Sequence, residues 1–296
     1  MQEPPYFSVI VPTYERPAQL SRCLGALARL DYPAERFEVI VVDDGSAAPP
    51  ARLLGEFRDQ LNVRLIAQPN AGPAAARNRG AAEARGSFLA FTDDDCEPET
   101  GWLRSLAARF AATPQSLVGG RTVNALPANP YSETSQLIIE VVYEHYNSGP
   151  GGPRFFASNN LAAPAELFRA AGGFDETFKT SEDREVCDRW LARGLRLAYA
   201  PEAVVRHAHA LTLVALWRQH FGYGRGARRF HRARAARGNA PFRPERAFYL
   251  KLLRGSLTRA HGAAAPALPA LLLWAQTANA AGFFYEHLRP LDAVRH

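Results

Sequence analysis

In the first hundred positions, apolar residues come as short unbroken runs, each of which ends in polar or acidic residues. Phe7-Ser8-Val9-Ile10-Val11-Pro12 predicts a first strand and Glu38-Val39-Ile40-Val41-Val42 a second. Runs of this length suit strands buried on both faces of a parallel sheet. Between them Pro17 opens a helix in which Leu20, Cys23/Leu24, Leu27 and Leu30 recur at helical spacing. Val63-Arg64-Leu65-Ile66 predicts a third strand, followed by Asn70-Ala71-Gly72-Pro73 and an alanine-rich helix carrying Arg77, Asn78 and Arg79. Residues 87–92 predict a fourth strand that runs straight into Asp93-Asp94-Asp95. Strand and helix alternating at this spacing make a parallel, right-handed α/β layout.

Beyond residue 115 the pattern turns to mixed strands and loops. It predicts a strand at Leu117–Gly120, a helix near 133–146, and a strand over Phe155–Ala162 that contains Asn159 and Asn160. Pro164 then opens a short helix, and Gly172-Gly173-Phe174-Asp175-Glu176 forms a turn. The next helix buries Val186, Cys187, Trp190 and Leu191, and its start, Thr180 to Asp183, matches a capping box. Arg196 to Val205 predicts another strand, ending in His207 and His209; a His-x-His pair there offers a metal ligand, although a lone histidine is commonly structural. From Leu211 the pattern is helical.

Ligands of open α/β sheets bind at the carboxyl ends of strands. Four successive strand ends place Thr13-Tyr14-Glu15, Asp43-Asp44, the Asn70–Gly72 turn and Asp93–Asp95 along one edge. Three adjacent carboxylates repel one another unless a cation or a set of donors holds them, which points to a divalent metal. A solvated acidic turn ahead of the next helix is the alternative. The edge suits a nucleoside diphosphate. Asp44 can accept from a pyrimidine N3–H, and Glu15 or Asp43 can reach base or ribose donors. Gly72-Pro73 begins a helix whose free N–H groups favour negative charge, with Arg77 one turn in; for Arg77 and Arg79 a solvated helix face is the alternative. Neither a GxGxxG nor a Walker lysine motif occurs, so the usual dinucleotide and triphosphate cradles are missing.

Composition narrows the picture. At 296 residues, 47% hydrophobic and 22% charged, the chain has room for one large α/β domain with a helical appendage. A net charge of +6 favours an anionic partner, but acidic strand ends repel nucleic-acid phosphate, so a pure nucleic-acid binder is disfavoured. Three scattered cysteines without a CxxC indicate neither a disulfide framework nor a zinc site. Met1 to Tyr6 is polar and enters a strand at once, which predicts no secretory signal and a cytoplasmic protein.

The assembled motifs resemble the family 2 glycosyltransferases, which have the GT-A fold. The matching pieces are Val-Pro-Thr-Tyr-Glu-Arg (11–16), Val-Val-Asp-Asp-Gly-Ser (41–46), Asn-Ala-Gly (70–72) with Ala-Arg-Asn (76–78), Phe-Thr-Asp-Asp-Asp (91–95), Gly-Gly-Phe-Asp-Glu (172–176), Ser-Glu-Asp (181–183) and the His207 region. They cover roughly residues 7–210 in the family's order. The resemblance implies a Rossmann-like, mostly parallel central sheet flanked by helices. It implies a GT-A domain over 1–210, with a nucleotide-binding half (1–115) and an acceptor and catalytic half (116–210), followed by a helical region over 211–296. Thr13, Glu15 and Asp44 would hold the nucleoside, with Pro12, Tyr14, Arg16, Asp43, Gly72, Arg77, Asp93 and Asp94 around the nucleotide. Asp95 and His207 would ligate Mn²⁺ or Mg²⁺, with Asp93 beside the metal. Asp183 would be the catalytic base with Glu182 next to it, and Asn159 and Asn160 would face the acceptor. The implied reaction moves one sugar from a nucleoside-diphosphate sugar to a glycan or lipid-linked hydroxyl, with inversion. Processive synthases carry Gln-x-x-Arg-Trp, whereas here Gln219 is followed by His220-Phe221-Gly222-Tyr223, which favours single-residue transfer. A haloacid-type phosphatase also places Asp-x-Asp after a strand, but it needs Thr or Val where Glu97 stands. A nucleotidyltransferase, or a nucleotide-sugar-binding protein without transfer, shares the metal–diphosphate requirement.

The C-terminal third interleaves aromatic residues and arginines, from Trp217 through Arg225, Arg228, Arg229, Arg232, Arg234 and Arg237. The uncharged stretch Ala263–Tyr285 follows, which Pro266, Pro269, Gln276, Asn279 and Gly282 make a poor spanning helix. Together they predict peripheral attachment to an anionic membrane surface; a helix packed on the protein is the alternative.

Overall fold

The computed structural model describes residues 3–238, 244–258 and 267–289. In chain order the elements are β1 (Phe7–Thr13), α1 (Pro17–Leu27), β2 (Phe37–Asp43), α2 (Ala51–Gly55), β3 (Val63–Ala67), α3 (Pro73–Glu83), β4 (Phe88–Thr92), β5 (Cys96–Pro98), α4 (Trp102–Ala112), β6 (Leu117–Asn124), α5 (Pro130–Asn147), β7 (Asn160–Pro164), α6 (Ala165–Ala170), α7 (Glu182–Ala192), β8 (Leu197–His207), α8 (Leu213–Ala236), α9 (Arg246–Thr258) and α10 (Leu268–Leu288). Residues 263–266 of the uncharged C-terminal stretch lie outside the described residues.

Two compact units divide the chain. The first comprises Met1–Val123, Gly151–Glu176 and Asp183–Ala208. Its sheet has eight strands in the order β3-β2-β1-β4-β7-β6-β8-β5. β1, β2, β3 and β4 pair in parallel, as their continuous apolar runs predict. From β7 onward the sheet is mixed, because β7 enters antiparallel to both β4 and β6. β1 and β2 are buried along their whole length. Val9, Val11, Val39 and Val41 share one cluster with Leu20, Cys23, Leu24 and Leu27 of α1 and with Trp102, Leu103, Leu106 and Phe110 of α4. Their neighbours in sequence, Ile40 and Val42, pack with Ala76 of α3 on the opposite face. Alternate residues of a strand point to opposite faces, so helix cover on both sides requires the unbroken apolar run.

The strand expected over Phe155–Ala162 begins only at Asn160. Phe155 and Phe156 are buried without belonging to the sheet. Phe156 stacks on Tyr199 at 5.6 Å between ring centroids, in a site that Gly119 leaves open. Their apolarity reflects burial, not pairing.

The second unit comprises Asn124–Pro150, Thr177–Glu182 and His209–His296. The expected boundary at 210 lies beside this division, but the helical unit also takes in α5. Leu137 and Val141 of α5 form a core with Leu252 of α9 and Leu272 of α10. α8 and α10 approach closely at Gly224 and Gly282, where a Cβ would run into the Asn279 and Phe221 carbonyls. Asn129 caps α5, its side chain accepting from Tyr131 N and Ser132 N at 3.0 Å each. Among the described residues, no helix is long and apolar enough to cross a membrane.

Candidate functional site

Parallel register keeps the first strands in step. Thr13 lies opposite Asp43 and Phe91 opposite Ile10, so the chain leaves β1, β2 and β4 at one edge. The short β5 then pairs antiparallel with β8, Cys96 opposite His207, which brings the imidazole beside the acidic run. Sequence reasoning missed β5, because Cys96-Glu97-Pro98 is too short to carry any periodic signal.

Each carboxylate of the run has a partner. Arg77 Nη2 donates to Asp93 Oδ1 at 2.6 Å. The Thr13 hydroxyl donates to Asp94 Oδ2 at 2.7 Å. Arg16 Nη1 bridges Asp94 Oδ1 at 3.3 Å and Asp95 Oδ2 at 3.2 Å. His207 Nε2 lies 3.2 Å from Asp95 Oδ1. Burial pushes the Asp94 carboxyl from 3.8 up to about 6, against the Thr13 hydrogen bond and the Arg16 charge, while Asp95 and Asp93 push the same way as burial. Burial works to lower the His207 pKa, but the hydrogen bond and charge of Asp95, with Asp93 behind it, prevail and raise it. The edge is therefore a concentration of negative charge held by two arginines, an imidazole and a hydroxyl. A solvated acidic turn, the alternative to a metal site, lacks this environment.

The neighbouring turns are tied to the same edge. Asp44 Oδ1 accepts from Gln68 Nε2 at 2.7 Å and Ala71 N at 2.9 Å, and its Oδ2 accepts from Gly72 N at 2.8 Å. Asp44 thus organises the 68–72 turn, and the first free N–H ahead of α3 is already in use. An ionised carboxylate has about four lone-pair sites, so about one is left for a ligand. Between Asp43 and the turn, Gly45 has a φ of +87°, and a Cβ there would stand 2.8 Å from Asn70 N. Glu15, itself at a positive φ of 55°, accepts from Ala47 N at 2.6 Å through Oε1 and gives its own N–H to Ser46 Oγ at 2.8 Å. Tyr14 is exposed at the mouth of the edge, whereas Pro12 is buried inside β1.

Asp95, Cys96 and His207 each offer one ligand atom, all within 4.8 Å of one another. Burial, with Asp93 and Asp95 adding to it, pushes the Cys96 thiol far above its usual range. The carboxylate oxygen and imidazole nitrogen of the group suit a Mn²⁺-like cation, or Mg²⁺ keeping its waters. Asp93, expected beside the metal, is paired with Arg77 and stands outside this group, as does His209.

α7 starts at Glu182, two residues after Thr180, whose hydroxyl donates to the Gly222 carbonyl at 2.9 Å. Asp183 sits in the first turn, with Oδ1 accepting from Arg184 N at 2.8 Å, and Glu182 is buried. Asn160 is corrected from acceptor contact to internal brace. It is fully buried, accepts from Trp102 Nε1 at 2.9 Å and donates to the carbonyls of Arg121 at 3.1 Å and Ala203 at 2.9 Å. Asn159 is also buried and accepts from the Thr122 hydroxyl at 3.3 Å.

Four parallel strands continued by a mixed half, with an acidic edge at the switch, are the architecture of the GT-A fold. The mannosyltransferase PcManGT from Pyrobaculum calidifontis, solved in complex with GDP-Man and Mn²⁺, shares the fold with a TM-score of 0.63 at 21% identity, over 94% of this chain and 74% of that one. The model of the family described as glycosyl transferase family 2 matches residues 8–166, and that of glycosyl transferase family group 2 matches residues 101–285. The chain belongs to glycosyl transferase family 2. It is 33% identical over 218 residues to the pre-mycofactocin glycosyltransferase of Mycobacterium tuberculosis, which is 70% of this chain and 43% of that protein. It is 32% identical over 229 residues to the validoxylamine A glucosyltransferase of Streptomyces hygroscopicus subsp. jinggangensis, 67% of this chain and 54% of that protein. The chain thus spans about half the length of the curated relatives it matches.

Proposed function

We propose that this chain transfers one sugar from a nucleoside-diphosphate sugar to a hydroxyl of a glycan or lipid-linked acceptor, with inversion at the anomeric carbon. The observation that carries the reading is the strand-end run Asp93–Asp95, with each carboxylate tied to a different partner at the carboxyl edge of the parallel strands. A UDP- or dTDP-type donor fits the open acceptor site on Asp44, which can take the N3–H of uracil or thymine. Asp95 and His207 would hold Mn²⁺ or Mg²⁺, which supplies positive charge to the departing diphosphate. Arg16 and Arg77 add fixed positive charge to the same edge.

Asp183 acts as the general base. It removes the proton of the acceptor hydroxyl, which then attacks opposite the leaving diphosphate, and one in-line displacement inverts the configuration. Its position in the first turn of α7 costs it one lone pair, given to Arg184 N. The expected outcome for Asp183→Asn is retained donor binding with transfer reduced on the order of 10²–10⁴-fold. Normal turnover by that variant, with only a lower melting temperature, refutes the assignment. Release of pyrophosphate instead of nucleoside diphosphate identifies nucleotidyl transfer.

We also place the protein at the face of an anionic cytoplasmic membrane. The second unit holds fifteen Lys and Arg against seven Asp and Glu, more than the whole excess of +6. α10 exposes Leu273, Trp274, Phe284, Tyr285 and Leu288. Charge plus an apolar, aromatic face are the two signals of reversible attachment. Binding to anionic but not neutral vesicles, weakened by salt and by Arg228→Gln with Arg232→Gln, is the expected result; binding to neither refutes it.

A further inference from the structure

Helix α8 lies against the segment Thr177–Glu182 within the second unit. The Thr180 hydroxyl donates to the Gly222 carbonyl at 2.9 Å. One turn further along α8, a Cβ on Gly226 would collide with Thr180 Oγ1, Ser181 Oγ and the Thr180 carbonyl oxygen. The segment therefore rests on bare helix backbone, and only glycine leaves room for it. Arg229 Nη1 donates to the Thr177 carbonyl at 3.1 Å and fixes the other end. Arg229 is itself held, its Nε donating to Glu286 Oε1 of α10 at 2.6 Å, while Arg225 Nε donates to Oε2 at 2.8 Å. Glu286 is only 6% exposed, so the carboxylate is a buried anchor for both guanidinium groups.

What the clamp holds is unusual backbone. Ser181 has a φ of +71°, a left-handed conformation that residues other than glycine adopt only when their surroundings impose it. The next two residues are Glu182 and Asp183, the first and second of α7. The direction in which the chain enters α7, and with it the aim of the first-turn carboxylates, depends on that φ.

We propose that α8, latched by Glu286, imposes the left-handed turn at Ser181 and so aims Asp183. Gly226, Arg229 and Ser181 are positioning residues for the base. The proposal rests on the assignment of Asp183 as that base. Gly226→Ala pushes the segment off the helix, and Arg229→Gln frees its other end at Thr177 while Arg225 still pairs with Glu286. Gly222→Ala serves as control, because its Cβ meets only Thr180 Cγ2, at an ordinary 3.7 Å, and the carbonyl stays in place.

The experiment measures kcat, donor KM and melting temperature on the full chain. The expected result for Gly226→Ala is a kcat lower by on the order of 10²-fold, the effect of misplacing a catalytic group by about 1 Å, at unchanged donor KM. Arg229→Gln lowers kcat at unchanged donor KM, a split that a merely structural role does not give. Gly222→Ala keeps the parental kcat. Where Gly226→Ala does not fold, Arg229→Gln decides alone. Parental kcat in the variants that fold, with Asp183→Asn inactive, overturns the clamp and leaves the base assignment standing. A fully active Asp183→Asn overturns the base assignment instead.

Discussion

Asn160 gives the sharpest test of whether a polar residue beside the site belongs to the site or to the scaffold. Asn160→Ala removes three hydrogen bonds at a residue with no exposed surface. Each is worth about 1 kcal/mol net. The Trp102 indole N–H, on a fully buried ring, is left without its acceptor, and such an orphan costs ~1–3 kcal/mol. A loss of about 4 kcal/mol follows, a large part of the roughly 5–15 kcal/mol that holds a typical domain together. At about 2–4 °C per kcal/mol for a domain of 150–250 residues, the melting temperature falls by roughly 8–16 °C. Asn160→Asp keeps the bond to Trp102 but sets a carboxylate oxygen against the Arg121 and Ala203 carbonyls, so it is destabilised as well. Urea unfolding followed by circular dichroism measures both, with an unchanged slope showing that the denatured state is the same. The reasoning fails if Asn160→Ala unfolds within about 0.5 kcal/mol of the parent, the range of ordinary surface changes, and its only effect is a raised KM for the acceptor.

Asp95→Ala is expected to abolish the Mn²⁺-dependent part of nucleoside-diphosphate affinity, read by calorimetry with and without chelator; unchanged metal-dependent affinity removes Asp95 from the ligand set. Burial works to raise the Glu286 pKa, but the hydrogen bonds and charges of Arg225 and Arg229 prevail and hold it below 4.5. Its contribution is therefore complete above pH 4.5 and lost as pH falls through the lower folded-state value. Glu286→Gln should lower stability at neutral pH and flatten that acid limb, and an identical pH profile in the two proteins refutes the latch.

Much of the edge was legible because parallel strands convert sequence into position without long-range information. An apolar run ends, the next residues leave the sheet at its carboxyl side, and Thr13, Asp43 and Asp93–Asp95 fall together by register alone. The same logic failed at Phe155-Phe156, where apolar residues fill the space over Gly119 without entering a ladder. It also misplaced the partners of the polar groups. Asn160 reads as an acceptor-facing amide in a strand, but its three partners come from Trp102, Arg121 and Ala203, none of them near it in sequence.

The basic run after Trp217 has a partner that composition does not show. A periodic charge on a helix reads as a solvated face when its counter-charge is out of sight, and here that counter-charge lies 57 and 61 residues downstream in Glu286. Arg225 and Arg229, each about one third exposed, therefore share one buried carboxylate. A glycine-lined approach makes this pairing possible. Gly224 and Gly282 let α8 and α10 come close enough for one carboxylate to reach both guanidinium groups. The interleaved glycines, which the pattern of charges had pushed into the background, are therefore what convert a basic stretch into the brace for the residues leading to Asp183.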